Sequence, residues 1–511
     1  MLKRLQEKTV RVRFVVAVLG NGIRAAANFS AGLMITRALG AGRFGTYSFL
    51  AGSFNSLRPL LILGASSAFF TLISRGRRNT KYVHLYIAWL TLQFAIVLLL
   101  IGLLLPNYAY DRIWLGYHRP IVMLAFAASF MQMQAWPTVM QVGESKRETL
   151  VVQSLSAAIA LLHLVIVGLL VYNGGVSVAV VLWCLIGEYT LAVGVGSFLV
   201  ARRRTTVEAG LEPTYRSIVR EYLEYGSPLA LSTIAAAAYL FGDTWMLQRF
   251  GGSINQGLYQ AAYQFAAISL FATTSILQVL WKELADAFGR KDTARVFQLY
   301  SRIARIVFAA GAVVSGFLIP WANELVRVML GASFEKSGII LALLFIYPIH
   351  QALGQVTDTL ALAIDETPLF SKVTIGYTAV SLVVSYLVLA PRAGLVPGLA
   401  LGPTGLAVKI VCLNILSVNT LGYLIARRHQ IRFEWGYQVM ILIATVVIGY
   451  LAKALATAAW PIHEPTLYGL LGPFATAGVM FIAGIALLAH LNPSLVGATG
   501  IHFKKLLKIT G

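Results

Sequence analysis

Acidic residues are the scarcest of the charged groups, with 20 Asp and Glu against 41 Lys and Arg in 511 residues, and all charges together make up 12% of the chain. A soluble domain carries roughly twice that charged fraction. With 58% hydrophobic residues and a mean hydropathy of +0.75, the chain reads as a polytopic membrane protein. Cysteine is nearly absent. Cys184 and Cys412 sit inside apolar runs with no CxxC or Cys/His spacing nearby, so both read as small apolar fillers with no disulfide or metal role. No GxxxxGK[ST] loop occurs, which removes an ATP-binding module and leaves an ion gradient, the membrane potential or the substrate gradient as the source of energy. The basic stretch Met1 to Arg13 precedes an apolar run too long, and too polar at Asn21, Arg24 and Asn28, for a cleavable leader, so no cleavage is expected. The net charge of +21 could suggest nucleic acid, but the basic residues lie in short clusters between apolar runs. They read as membrane topology, with no nucleic-acid partner.

Apolar runs bounded by charge, Gly or Pro fall at about 14–38, 45–73, 82–105, 120–142, 149–172 and 176–200. After a polar stretch they resume at about 227–249, 257–281, 303–329, 338–363, 370–391, 404–426, 437–457 and 467–491. The expected fold is therefore all-α, with about 14 transmembrane helices. Placing the N-terminus inside puts most of the Lys and Arg in inner segments and leaves the outer loops only isolated ones such as Arg37, Arg112 and Arg249. Both termini are then expected on the cytoplasmic side of a bacterial inner membrane, in a multi-pass arrangement. The loops are short. The longest, Arg202 to Tyr225, has room for an amphipathic helix on the inner surface.

The stretch Phe14 to Arg75 reads as two apolar helices joined by a turn at Gly40-Ala41-Gly42-Arg43-Phe44-Gly45, and each helix carries an arginine expected near the midplane, Arg24 and Arg58. An ionisable group at the bilayer centre costs roughly 2.5 to 3.5 kcal/mol on insertion scales, so it should face a cavity or a partner. Asn21 and Asn28 share a helical face with Arg24, and Asn55 shares one with Arg58. Two such stripes describe the wall of a wet cavity. A guanidinium presents a planar fork of donors suited to phosphate oxygens, so one reading is a diphosphate anchor; the other is that each arginine pairs with a carboxylate. Lys409 either adds a cation or snorkels to the outer headgroups.

The few intramembrane carboxylates are Glu188, Asp243 and Asp358, candidates for ion coupling because a buried carboxylate can change charge as a cavity switches sides. Alternative roles are a structural hydrogen bond, inner-surface solvation for Asp358, and neutralisation of an arginine by Glu188. His163 and His350 have no ligand spacing around them and read as hydrogen-bonded core groups, so no metal site is expected. Gln132, Gln134 and Gln141 surround Trp136-Pro137, either to contact sugar rings or as a kink packed by polar interhelical contacts. No set of residues reads as catalytic, and no cofactor is expected.

An internal repeat is visible. Arg37-x7-Gly45-x-Tyr47 recurs as Arg249-x7-Gly257-x-Tyr259, an offset that maps the first two spans onto the seventh and eighth. An even number of crossings gives both copies the same orientation.

The pattern from Asn28 to Arg75, with Thr36-Arg37-Ala38-Leu39-Gly40, Phe44-Gly45-Thr46-Tyr47 and Leu63-Gly64-Ala65-Ser66-Ser67, resembles the opening of Wzx-type polysaccharide flippases of the multidrug/oligosaccharidyl-lipid/polysaccharide exporter superfamily. The resemblance extends through Ser227 to Ala285, including Asp243, Gly257, Tyr259 and Gln278, and covers about residues 10 to 430. It implies two six-helix lobes, 1–201 and 227–428, separated by a cytoplasmic linker at 202–226 and facing a cavity that opens alternately to either side. Residues 429–511 would add two helices and a basic tail. The implied activity is translocation of a polyprenyl-diphosphate-linked oligosaccharide, coupled to an ion gradient, amid membrane lipids and beside polysaccharide polymerase machinery. A lipid II flippase or a multidrug exporter is the alternative within transporters, although cationic drugs would be repelled by the arginines. Outside transporters the alternative is a polytopic glycosyltransferase or polysaccharide polymerase.

Overall fold

The computed structural model describes the chain except at residues 1, 63–64, 75–79, 147, 203–213, 228–229, 268–283, 285, 291, 394–395, 432, 463–465 and 493–511, and side chains from residue 20 onward. Among the described residues there is no strand. The physical reason is the solvent: in hydrocarbon a backbone must satisfy its own hydrogen bonds, which a helix does within one segment. Among the described residues nine continuous helical runs are long and apolar enough to cross a membrane, and they coincide with the third, fifth, sixth and ninth to fourteenth expected spans. The first, second, fourth and seventh fall on helices broken by a kink or a π-turn, and most of the eighth, with Gln278, lies outside the described residues.

The chain forms two units, Met1–Gly257 and Leu258–Gly511. The first contains α1 (Leu2–Ile62), α2 (Ala65–Ser74), α3 (Thr80–Leu99), α4 (Asn107–Trp114), α5 (Arg119–Phe130), α6 (Trp136–Ser145), α7 (Thr149–Tyr172), α8 (Val178–Ala201), α9 (Tyr215–Gly226) and most of α10 (Ala230–Ala266). The expected turn over residues 40–45 is far shorter. Gly40 alone leaves the helical region, at φ 68° and ψ 169°, and the helix resumes at Ala41. Gly252 does the same inside α10, at φ 73° and ψ 178°. The two glycines share the spacing of Gly45 and Gly257, so the repeat includes the backbone break itself. Only a residue without Cβ takes that conformation cheaply.

The C-terminal end of α3 is capped by charge. A π-turn at Leu100–Leu104 leaves carbonyls without helical partners, and Arg119 donates to three of them: Ile101 at 2.7 Å, Gly102 at 3.0 Å and Leu105 at 2.6 Å. Its guanidinium also lies 4.7 Å from the centre of the Tyr110 ring. Arg119, read from the sequence as an outer-loop charge, is thus a structural cap. The expected inner amphipathic helix is α9. It docks on α2 and α3 through Tyr222 stacked on Tyr86, which stacks in turn on Phe69 at 4.2 Å. Tyr82 also donates to Glu221 at 2.9 Å.

The second unit holds α11 (Thr293–Leu318), α12 (Ala322–Leu330), α13 (Ser337–Leu344), α14 (Tyr347–Ala363), α15 (Thr367–Leu389), α16 (Gly402–Arg428), α17 (Trp435–Ala459) and α18 (Leu467–Leu491). The two last helices are built into it. α17 crosses α11 so closely that a Cβ on Gly449 would lie 2.0 Å from the Gly316 carbonyl oxygen. Lys453 of α17 donates to the Pro320 carbonyl at 2.7 Å and to Glu324 at 2.6 Å, 5.1 Å from the Trp321 ring. Arg305 of α11 binds Glu434 with two donors. These pairs close the polar groups of α17 inward and leave its apolar face outward, where Val439, Ile443, Val447 and Leu451 are exposed.

Candidate functional site

Both arginines lie on α1, on opposite sides of Gly40. Arg24 is sixteen residues before it and Arg58 eighteen after it, about 24 and 27 Å along the helices at 1.5 Å per residue. The two distances differ by about 3 Å. The second helix starts at Ala41 rather than Gly45, so Arg58 lies four residues further from its start than the expected turn implied. The neighbours agree: Arg58 acts electrostatically on Tyr86, near the start of α3, and Arg24 on Glu144, near the end of α6.

Each arginine is half-buried, whereas Asn21, Asn28 and Asn55 are exposed, so the three asparagines lie on open faces of the first unit. Among the described residues neither arginine forms an ion pair. The Arg58 Nε is buried without a hydrogen-bond partner, and its Nη1 reaches only the Met133 sulfur, at 4.0 Å. A guanidinium so placed has donors to give to an incoming acceptor.

Met133 lies on a second π-turn, Met131–Ala135, just before Pro137 at the start of α6. The wide turn satisfies the break that proline would otherwise impose. Gln132 donates to Tyr189 at 3.4 Å and Gln141 to Ser66 at 3.0 Å, while Trp136 is buried. Of the two readings of this region, the kink packed by polar interhelical contacts matches these contacts.

The carboxylates separate. Glu188 on α8 is 4% exposed and meets His163 of α7, with Nδ1 to Oε2 at 2.8 Å. His163 is therefore hydrogen-bonded, as expected, and its partner is Glu188. Asp243 on α10 is buried and engaged within the protein, not open to solvent. In the second unit, Asp358 on α14 is half-buried and acts on Tyr300, whose hydroxyl lies 3.1 Å from the Thr357 Oγ1. His350 packs edge-on against Phe308 at 5.2 Å. Lys409 on α16 is 3% exposed and engaged in the interior, so it does not snorkel. The first unit thus holds Arg24, Arg58 and the His163–Glu188 pair, while Lys409 and Asp358 belong to the second. Sequence reasoning missed Glu144 as a carboxylate that feels the charge of Arg24, and the partnership of His163 with Glu188.

The first unit carries a hydroxyl cluster beside the Gly40 and Gly252 breaks. Tyr117 OH is 2.9 Å from Ser253 Oγ and 3.2 Å from Thr46 Oγ1, and Gln248 Nε2 donates to both Tyr117 and Ser253 at 3.0 Å. Beside it, Gly45 and Gly257 pack backbone to backbone.

The chain is similar in fold to several solved transporters. A lipid II flippase, MurJ, in an inward closed conformation aligns with a TM-score of 0.69 at 12% identity, covering 93% of this chain and 99% of that one. A multidrug resistance MATE family transporter of the MOP superfamily, inward-facing, gives 0.57 at 17% identity over 81% of this chain and 98% of that one. A MOP superfamily transporter from Pyrococcus furiosus gives 0.51 at 16% identity, covering 82% and 95%. No curated protein matches the sequence. A family model described as polysaccharide biosynthesis protein matches residues 13–281, more than half of the chain. This multi-pass membrane chain, which has the fold of MOP-superfamily transporters, therefore belongs to the polysaccharide biosynthesis protein family.

Proposed function

We propose that this protein is a flippase that moves a polyprenyl-diphosphate-linked oligosaccharide repeat unit from the cytoplasmic to the outer leaflet of a bacterial inner membrane, for assembly of a surface polysaccharide. The observation that carries the reading is the pair Arg24 and Arg58: two helices, no carboxylate partner among the described residues, and open asparagine faces beside them. Charge-assisted hydrogen bonds to phosphate are worth roughly 1.5–3 kcal/mol each. Position in the inner half of the helices suits a headgroup loaded from the cytoplasmic leaflet. The diphosphate sits on the arginines, the sugar occupies the polar cavity, and the lipid tail stays in the bilayer. Alternating access of lobes 1–201 and 227–428 moves the headgroup, with an ion gradient as driver and Asp243, Asp358 and Glu188 as the carboxylates available for coupling. Lys409 would join the diphosphate site only in a state that uncovers it. Both termini face the cytoplasm, and polymerase machinery receives the product.

The lipid II flippase similarity, which covers 93% of this chain, favours a second reading with the same diphosphate chemistry and a peptidoglycan precursor as the sugar. The test replaces Arg24 and Arg58 by Ala and follows lipid-linked substrates across proteoliposomes. Loss of flipping by roughly tenfold or more, with normal expression, is expected; normal flipping would overturn the anion site. Competition between repeat-unit lipid and lipid II on the wild type separates the two substrates, and loss of sugar addition in cells instead of flipping would favour an enzyme.

A further inference from the structure

The first turns of α11 stand apart from the rest of that helix. The helical run that begins at Thr293 extends over 38 residues, and the expected ninth span opens only at about residue 303. A span needs about 20 residues, so Thr293 to Arg302 occupies the headgroup level at one end of it. Packing fixes the rotation of this segment: Val296, Phe297 and Tyr300 are buried in the core of the second unit with Leu421 and Ile425 of α16. The opposite face carries Arg295, Gln298 and Arg302, at i, i+3 and i+7, and none of the three is buried.

That face borders an open cavity of about 370 Å³, lined by Asp292, Ala294, Arg295, Gln298, Leu299 and Arg302. Its one carboxylate already has a task, because Asp292 caps the helix by accepting from the Arg295 backbone N–H at 3.0 Å. Among the described residues neither Arg295 nor Arg302 forms an ion pair, whereas Arg305 is bound to Glu434 and Arg428 to Glu366. From Asp286 to Arg302 the sequence holds four basic residues and two acidic ones, so the segment is net positive.

Arginines at a membrane boundary can simply be solvated. What distinguishes this pair is the continuation of its face into the span. Ile306, Ala310 and Val314 follow Arg302 in steps of four, all exposed and apolar, as residues that face hydrocarbon are. One lane therefore runs from two guanidinium groups and an amide at the headgroup level to an apolar strip at acyl-chain depth. Arg295 and Arg302 are about 10 Å apart along the axis, a gap that two long side chains can close from either end on a single phosphate, each with its planar fork of donors.

We propose that this lane binds an anionic phospholipid of the surrounding bilayer. Arg295 and Arg302 hold the phosphodiester with Gln298 between them, and one acyl chain lies along Ile306, Ala310 and Val314. A zwitterionic headgroup fits less well because it brings its own ammonium beside the guanidiniums, and free phosphate leaves the apolar strip unused. The site shares no residue with the proposed diphosphate site on α1 and does not depend on it. A lipid that binds only the folded chain stabilises the second unit by mass action.

The test titrates the full-length protein in neutral detergent, counting bound lipid by native mass spectrometry and following the thermal midpoint. Dioleoyl phosphatidylglycerol should bind and raise the midpoint at concentrations where dioleoyl phosphatidylcholine does not. R295Q combined with R302Q should weaken that binding by roughly tenfold or more. R290Q removes an exposed arginine that does not line the cavity and should leave binding unchanged. Equal binding by the double variant, or an equal loss in R290Q, would overturn the site. R295Q alone, at an exposed position, gives the same reading with a smaller loss should the double variant fail to fold. I306S keeps both arginines and should weaken the lipid; undiminished binding would overturn the acyl lane. Inorganic phosphate producing the whole midpoint rise would make this an anion site and overturn the lipid. Displacement of phosphatidylglycerol by a far lower concentration of a short-chain polyprenyl diphosphate would assign the lane to that lipid instead. R24A should bind phosphatidylglycerol as wild type does, so failure of the diphosphate reading and failure of this one are separate results.

Discussion

Gly45 and Gly257 lie against each other so closely that neither position has room for a side chain: a Cβ on Gly45 would fall 1.7 Å from the Ser253 carbonyl oxygen, and one on Gly257 would fall 2.0 Å from that of Ala41. The same relationship therefore holds in both directions of the repeat, each glycine resting on the backbone four residues before the other. G45A and G257A should each prevent this packing, lowering the thermal midpoint and exposing the neighbouring hydroxyl cluster to an outer thiol reagent in an S253C background. Overpacking of this kind costs about 1–3 kcal/mol or more. G52A, whose Cβ would meet Thr244 at an ordinary 3.7 Å, is the control and should change little.

Lys453 donates to Glu324 and to the Pro320 carbonyl, and it is about one-fifth exposed. K453M should leave Glu324 without its counter-charge at the junction of α12 and α17 and destabilise by about 1–3 kcal/mol. Adding E324L should recover most of the loss, since the cost lies in the abandoned charge. A double-mutant cycle by thermal unfolding in detergent reads the coupling, and additive losses would contradict it.

Glu144 lies beyond the expected fourth span, and burial pushes its carboxyl above the usual range, against the pull of the Gln153 hydrogen bond and the Arg24 charge. A raised folded-state value means the folded protein holds the protonated form more tightly. That contribution to stability is complete below the ordinary carboxylate value of about 4.3 and fades as pH rises through the higher folded one. E144Q should therefore melt higher than wild type at neutral pH, and the difference should shrink toward zero below about pH 4. A difference that widens in acid would reverse the sign.

Gly449 meets Gly316 where α17 crosses α11. G449L should separate the two helices, and limited proteolysis should then cut around Glu434 faster than in wild type. G436A, with open space around its Cβ, should leave the digestion pattern unchanged.

Hydropathy made most of the fold legible because a helix in hydrocarbon must be long and apolar whatever it packs against. The reversal between Arg24 and Arg58 was legible too, since the glycines mark it. Its shortness was not, because a positive φ at a single glycine leaves no trace in composition, and Gly40 sits in a run containing two more glycines. The two π-turns were equally silent: each shifts one hydrogen-bond register without changing the apolar pattern. His163 and Glu188 show the general limit. Periodicity gives the depth of a side chain along a helix, but how each helix is rotated about its axis depends on neighbours distant in sequence, so equal depth alone could not pair them.

The single-residue breaks at Gly40 and Gly252 also decide where this protein can be modified for study. A tip with no loop offers no slack for an epitope, a fluorophore handle or an inserted reporter, because any added residue must displace the start of the next helix. The segment between Tyr172 and Val178, with Gly174 at φ 66° and open space around it, is a separate connection whose backbone carries no such crossing. A label belongs there, and the two glycine tips should be left intact in every tagged version.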